Sequence, residues 1–262
     1  MAPPALIRPS KRLGQNFLTD DRVASRIVSA AELETKDVAL EPGAGYGTLT
    51  RLLETRAGRV IAVEKDHRLA AYLRREFENS PSVSIIEGDV LKLELPQFNK
   101  VVGSPPYTIS SKLILSLARS EFDLASLVFQ KEFGERLLAK PGTRDYGRLS
   151  ITAQRSLVIQ PVMDIGAGAF RPKPKVDSIL LKLSPRKVPV HPDVRLFEEL
   201  VRGLFNQRRR LARSSLHHLL SRKHGREKAS TILKTVNVPE KRVYQLTITD
   251  LERLCGQLSE FH

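Results

Sequence analysis

The sequence predicts an α/β fold in which a parallel sheet is covered by helices on both faces and is followed by a small all-helical carboxy-terminal domain. Three observations carry this. Between residues 20 and 183, short apolar runs alternate with segments of helical period, the pattern of successive strand–helix–strand crossovers. A glycine-rich turn, Glu41-Pro-Gly-Ala-Gly-Tyr-Gly47, stands between the first apolar run and the helix behind it. After Ser184 apolar residues recur only at helical spacing.

Taken in order, Asp20 and Asp21 precede Val23, Ile27, Val28 and Ala31, whose spacing predicts a helix opened by a capping carboxylate. Residues 38–41 form a short strand that runs into the glycine turn, and Leu49, Leu52 and Leu53 place a helix after it. Residues 59–64 read as a buried strand and 67–78 as a helix with Leu69, Tyr72, Leu73 and Phe77 on one side. Residues 83–86 and 100–102 are the third and fourth strands. Helices are expected over 110–117 and 134–139 with a strand over 124–129 between them, and two β-prone stretches, 150–159 and 176–183, are expected to complete the sheet. The stretch 185–192 holds three prolines and no period, which sets the domain boundary: 1–184, then 185–262. In the second part Phe197, Leu200, Val201, Leu204 and Phe205, then Leu211, Leu216, Leu219 and Leu220, then Ile232 and Val236, and finally Leu251, Leu254 and Leu258 mark helices.

Composition narrows the function. The 262 residues are 41% hydrophobic with no apolar run of membrane length, and the amino terminus lacks an apolar signal core, so a cytoplasmic, membrane-free protein is expected. The single cysteine, Cys255, rules out an intrachain disulfide and a multi-thiolate zinc cage. The net charge of +14 attracts polyanions and makes nucleic acid the first partner to consider. Lys and Arg outnumber Asp and Glu by 16 to 8 after residue 184, and Arg208, Arg209, Arg210 and Arg213 cluster there, as either a solvated face or a set of phosphate contacts.

Gly43, Gly45 and Gly47 allow a sharp turn and a close ligand approach. Their spacing differs from the dinucleotide fingerprint, and no Lys-Ser or Lys-Thr follows, so a triphosphate is not the expected occupant. Glu64 and Asp89 end the second and third strands, where one carboxylate suits ribose hydroxyls and the other the amino edge of an adenine. Each alone is an ordinary loop acid. With no phosphate to bind between them, the pair points to S-adenosylmethionine.

The fourth strand runs into Val102-Gly-Ser-Pro-Pro-Tyr107, whose two prolines stiffen the backbone. Such a loop suits an exocyclic base amine, with the Ser104 hydroxyl and the Pro105 carbonyl accepting its two hydrogens so that the nitrogen lone pair faces a methyl donor. This chemistry calls for no metal. Tyr107 and Phe170 are candidate stacking faces for an extruded base, and Arg171, Lys173 and Lys175, in the loop Phe-Arg-Pro-Lys-Pro-Lys-Val-Asp-Ser178, are candidate phosphate contacts.

Together these segments resemble the ribosomal RNA adenine dimethyltransferase family of the KsgA type. The likeness runs through Gly-Gln-Asn-Phe-Leu18, the Glu41–Gly47 turn, Val-Glu64, Gly-Asp89, Gly-Ser-Pro-Pro-Tyr107, Arg-Leu-Leu-Ala-Lys-Pro-Gly142, Tyr-Gly-Arg-Leu-Ser150, residues 170–178 and Phe-Asn-Gln-Arg-Arg-Arg210. It implies a Rossmann-like class I methyltransferase domain with a basic RNA-binding domain behind it. The implied reaction moves two methyl groups to the N6 amine of each of two adjacent adenines in small-subunit rRNA, on immature small ribosomal subunits; the chain itself is expected to be a monomer. It also implies that Asn16 and Leu18 line the cofactor pocket with Gly43, Glu64 and Asp89. One departure stands out: relatives usually carry Asn followed by Leu or Ile where this chain has Ser104 and Pro105. A hydroxyl is shorter than a carboxamide, so a slow or inactive pre-rRNA-binding assembly factor, and a base methyltransferase with another nucleic-acid target, are the competing expectations.

Overall fold

The computed structural model describes residues 7–10, 13–186 and 193–261. The strands are β1 (Phe17–Leu18), β2 (Val38–Pro42), β3 (Arg59–Glu64), β4 (Val83–Glu87), β5 (Lys100–Gly103), β6 (Leu124–Gln130), β7 (Leu157–Ile165), β8 (Phe170–Arg171) and β9 (Ser178–Pro185). The helices are α1 (Asp21–Ser29), α2 (Thr48–Glu54), α3 (His67–Glu76), α4 (Ser110–Leu117), α5 (Lys131–Leu138), α6 (Arg148–Ser156), α7 (Val194–Phe205), α8 (Ala212–His224), α9 (Arg226–Thr235) and α10 (Ile248–Leu258). Contacts divide the chain into two compact units, Met1–Gly134 with Leu157–Pro185 and Glu135–Ser156 with Arg186–His262.

The first unit is built on a seven-stranded sheet in the order β4-β3-β2-β5-β6-β9-β7. The five strands from β2 to β6 pair in parallel, whereas β9 is antiparallel to both β6 and β7. The expectation of a parallel sheet therefore needs this correction at one edge. β3 is buried from Val60 to Glu64, as a parallel strand covered on both faces must be. Asp20 caps α1 by accepting from the Arg22 and Val23 N–H groups, and Asp66 caps α3 through the Arg68 N–H. Leu18, Ala24, Ile27, Val60, Ala62, Val102, Val128, Phe170 and Leu180 belong to one core cluster.

Two readings of local structure are corrected. Residues 150–156, expected in a strand, belong to α6, and the strand begins at Leu157. Ser150 and the β-prone Ile151 are buried on a helix face here, and the Ser150 hydroxyl is spent on the Arg136 carbonyl at 2.6 Å. The two-residue strands β1 and β8, paired as Phe17↔Arg171 and Leu18↔Phe170, are too short to show a period in sequence. The second unit takes in 135–156, which the sequence reading assigned to the first, and the expected linker residues 187–192 lie outside the described residues. That unit is helical around a core that includes Tyr146, Phe197, Leu204, Leu216, Ile232, Leu251 and Leu254. Among the described residues no helix is long and apolar enough to cross a membrane.

Candidate active site

The sheet order reverses between β2 and β5, and the chain leaves these strands, β3 and β4 at a common edge where a crevice opens. The cavity there is lined by Gly43 and Gly45 after β2, Val63, Glu64 and Lys65 at the end of β3, Gly88, Asp89 and Val90 after β4, and Ser104 and Pro106 after β5. Leu13, Gln15, Asn16 and Phe17 close one side. The structure thus brings together Asn16, Gly43, Gly45, Glu64, Asp89 and Ser104, which sequence reasoning had placed in one site. Leu18 is set back: it is buried in the core and borders a smaller neighbouring cavity that Asn16, Gly43, Gly45 and Ser104 also line.

The turn after β2 needs glycine. Gly43 and Gly45 have φ of 81° and 59°, and a Cβ at Gly43 would meet Pro106 Cδ at 3.0 Å, so the glycine turn and the prolyl loop are in direct contact. Glu64 is buried; one carboxylate oxygen accepts the Gly45 N–H at 2.9 Å and the other the Asp66 N–H at 2.8 Å. Burial raises its pKa against these hydrogen bonds. With the Lys65 N–H as a further donor, the carboxylate still keeps acceptor capacity for a ligand hydroxyl. Asp89 accepts from Lys65 Nζ at 3.0 Å and from the Leu91 N–H at 3.1 Å, and the Lys65 bond lowers its pKa. Two carboxylates at adjacent strand ends beside a glycine-opened main chain fit a hydroxyl- and amine-bearing nucleoside with a cationic tail.

Ser104 faces the same cavity and its hydroxyl has no hydrogen bond among the described residues. Pro105 is buried behind it, 3.7 Å (Cα) from a Cβ placed on Gly43. The Pro106 carbonyl is taken by the Ile109 N–H at 3.1 Å. Tyr107 is half-buried and its hydroxyl lies 2.6 Å from Ser178 Oγ, so the prolyl loop is tied to the start of β9 and the ring is fixed in place. Burial raises the Tyr107 pKa and keeps the phenol neutral.

Phe170 departs from expectation. It has no exposed surface and sits in the core through β8, so in this structure its ring offers no open face to a base. Its visible consequence is to hold β1, and with it Asn16 and Phe17, against the cavity. Arg171, Lys173 and Lys175 are exposed on the loop that follows; Arg171 Nη1 donates to the Phe170 carbonyl at 3.0 Å.

In the second unit the arginine cluster proves to be organised. Arg208 donates to the Arg144 and Thr143 carbonyls at 2.9 and 3.2 Å and stands 5.7 Å from the centre of the Tyr244 ring. With Arg144, Arg209 and Arg242 it lines one open pocket, while Arg210 is exposed beside it. Sequence reasoning missed Arg144, Arg242 and Tyr244, because they converge from distant segments. It also missed Gln15, Lys65, Asp66 and Ser178; of these only Asp66, a capping residue just before a helix, carried a local signal.

Residues 8–251 match the family model described as "Ribosomal RNA adenine dimethylase". A probable ribosomal RNA small subunit methyltransferase A of Thermococcus sibiricus is 42% identical over 94% of this chain and 90% of that protein. The crystal structure of a dimethyladenosine transferase from Plasmodium falciparum superposes with a TM-score of 0.82 at 29% identity, covering 93% of this chain and 98% of the other. That of the 23S rRNA methyltransferase ErmE gives 0.69 at 30% identity, covering 93% and 100%.

Proposed function

Because the chain belongs to the ribosomal RNA adenine dimethylase family, we propose that the cavity at the sheet's carboxyl edge is its catalytic site and that its substrate is small-subunit rRNA. The protein is an S-adenosylmethionine-dependent rRNA adenine dimethyltransferase. The observation that carries the assignment of residues is that Ser104 stands on the same cavity as Glu64 and Asp89.

In this reading Glu64 accepts the ribose hydroxyls of the cofactor, Asp89 accepts from its adenine amine, and the main chain at Gly43 and Gly45 admits the rest. When bound, S-adenosylmethionine supplies a methyl group on a cationic sulfur. The protein's part is to present the amine. Ser104 Oγ and the Pro105 carbonyl accept the two N–H hydrogens of the target adenine, which draws the nitrogen lone pair out of the ring and stabilises the charge that grows on nitrogen. Tyr107, anchored by Ser178, stacks the extruded base. Stacking of this kind is worth roughly 1–3 kcal/mol. Phe170 acts from the core as a support for the Asn16–Phe17 wall.

Phosphate contacts fall to Arg171, Lys173 and Lys175 in the first unit and to Arg208, Arg209, Arg210 and Arg144 in the second, making the first unit the catalytic part and the second, 135–156 with 186–262, the RNA-binding part. The reading includes a monomeric, cytoplasmic enzyme that modifies two adjacent adenines on immature small ribosomal subunits. Mass spectrometry of small-subunit rRNA before and after incubation with protein and cofactor tests it. Dimethyladenosine at two neighbouring positions is expected; rRNA without new methyl groups on adenine overturns it, and methylation of large-subunit rRNA alone overturns the substrate.

A further inference from the structure

Asp66 is 4% exposed, yet it is neither a strand-end ligand like Glu64 nor one of the residues lining the cavity. Its carboxylate is gripped by Arg68, whose Nη2 and Nε donate at 2.6 and 2.9 Å, and it caps α3 through the Arg68 N–H. It accepts a further bond from Gln15 Nε2 at 3.2 Å. The Gln15 side-chain oxygen in turn accepts the Ser10 N–H at 2.6 Å. On its other side the Asp66 N–H donates to Glu64. Asp66 therefore touches both walls of the cavity, the segment carrying Gln15, Asn16 and Phe17 and the acid at the end of β3. The same segment is also seated at Gly14, at φ 64°, where a Cβ would lie 3.1 Å from Thr108, at Phe17, whose ring packs 4.7 Å edge-on against Tyr46, and through the pairing of Phe17 with Arg171. The Gln15–Asp66 bond ties the Gln15 end of the wall to the start of α3 beside Glu64, and Arg68 keeps the Asp66 carboxyl down at about 2, so it remains an acceptor at any working pH.

We propose that Asp66, acting through Gln15, is a positioning residue for the S-adenosylmethionine pocket: the pair clamps the Leu13–Phe17 wall onto the cofactor site without touching the reacting atoms. The inference rests on the reading of this cavity as the cofactor site.

Three variants of the full chain test it: Gln15→Leu, which removes both side-chain bonds, Asp66→Ser, which keeps a helix cap but cannot reach Gln15, and the double variant. Calorimetry with S-adenosylmethionine should show affinity about tenfold weaker in each single variant and no weaker in the double, since residues that act as one unit are not additive. KM for the cofactor should rise in step, and in Asp66→Ser, which lies outside the cavity lining, kcat at saturating cofactor should stay within twofold of the parent. Single variants that bind the cofactor as the parent does, losses that multiply to about a hundredfold, or a fall in kcat without a change in affinity would each overturn the proposal. A parent protein that binds no cofactor in this cavity overturns the underlying site assignment together with it, and crystals soaked with the cofactor distinguish that failure from the first.

Discussion

Glu41 gives the sharpest quantitative expectation. It lies at the end of β2, 1% exposed, with Thr50 Oγ1 donating to it at 2.6 Å. Burial pushes its pKa from the ordinary 4.5 to about 8, opposed by the Thr50 bond and reinforced by the nearby Glu64 charge. At pH 7 the folded protein therefore holds a proton here that the unfolded chain has released. Because this site binds more protons in the native state between about pH 4.5 and 8, its contribution to stability is greatest below the lower value and falls as pH rises towards the upper one. Each pH unit of that window costs about 1.4 kcal/mol, so holding the proton at pH 7 costs about 3 kcal/mol. Glu41→Gln mimics the neutral acid and keeps an oxygen for the Thr50 hydroxyl. Urea denaturation at several pH values should show the variant more stable by about 3 kcal/mol at pH 7 and the difference shrinking to nothing near pH 4.5. Glu64, whose pKa burial also raises, leaves a residual slope of the same sign in both proteins. Parallel stability–pH curves for parent and variant would refute the claim that Glu41 is neutral when folded.

Three further outcomes are expected. Glu64→Gln should weaken S-adenosylmethionine binding by roughly 10- to 100-fold in calorimetry, the loss of charge-assisted hydrogen bonds worth about 1.5–3 kcal/mol; unchanged affinity would remove Glu64 from the cofactor site. Tyr107→Phe keeps the ring but loses the Ser178 bond, so single-turnover methylation should slow by only a few-fold. Tyr107→Ala should cost roughly 1–3 kcal/mol of stacking, and equal effects of the two would mean that the ring does not hold the base. Replacing Arg208, Arg209 and Arg210 together with Ala should reduce the salt slope of rRNA binding by about 2 to 3, at roughly 0.9 per phosphate contact for a duplex and 0.7 for a single strand. A slope equal to the parent's would place the RNA elsewhere.

Much of the site was legible because its residues are tied to strand ends. The run 59–64 reads as a buried strand, so Glu64 must emerge at its end, and three glycines after an apolar run mark the turn that faces it. Ser104 and Tyr107 follow the fourth strand in the same way. Phe170 was misjudged because sequence does not tell a core aromatic from an exposed one when its neighbours are prolines and lysines. Residues 150–156 were misjudged because Ile and Thr have strand preferences that packing overrode, Ile151 being fully buried on a helix. Arg144, Arg242 and Tyr244 gave no signal, since what makes them a pocket is convergence across about a hundred residues of chain.

The order of elements, the glycine turn, the acid at each strand end and the basic charge were all set by the sequence itself, since each depends on neighbours within a few positions and on the period of the backbone. Only the tertiary structure decided that β9 runs antiparallel to its neighbours β6 and β7, that Tyr107 is moored to Ser178, that Asp66 reaches Gln15 and that Phe170 is sealed in the core. Those outcomes depend on which surfaces exclude water together, a property of the folded packing to which residues far apart in the chain contribute jointly.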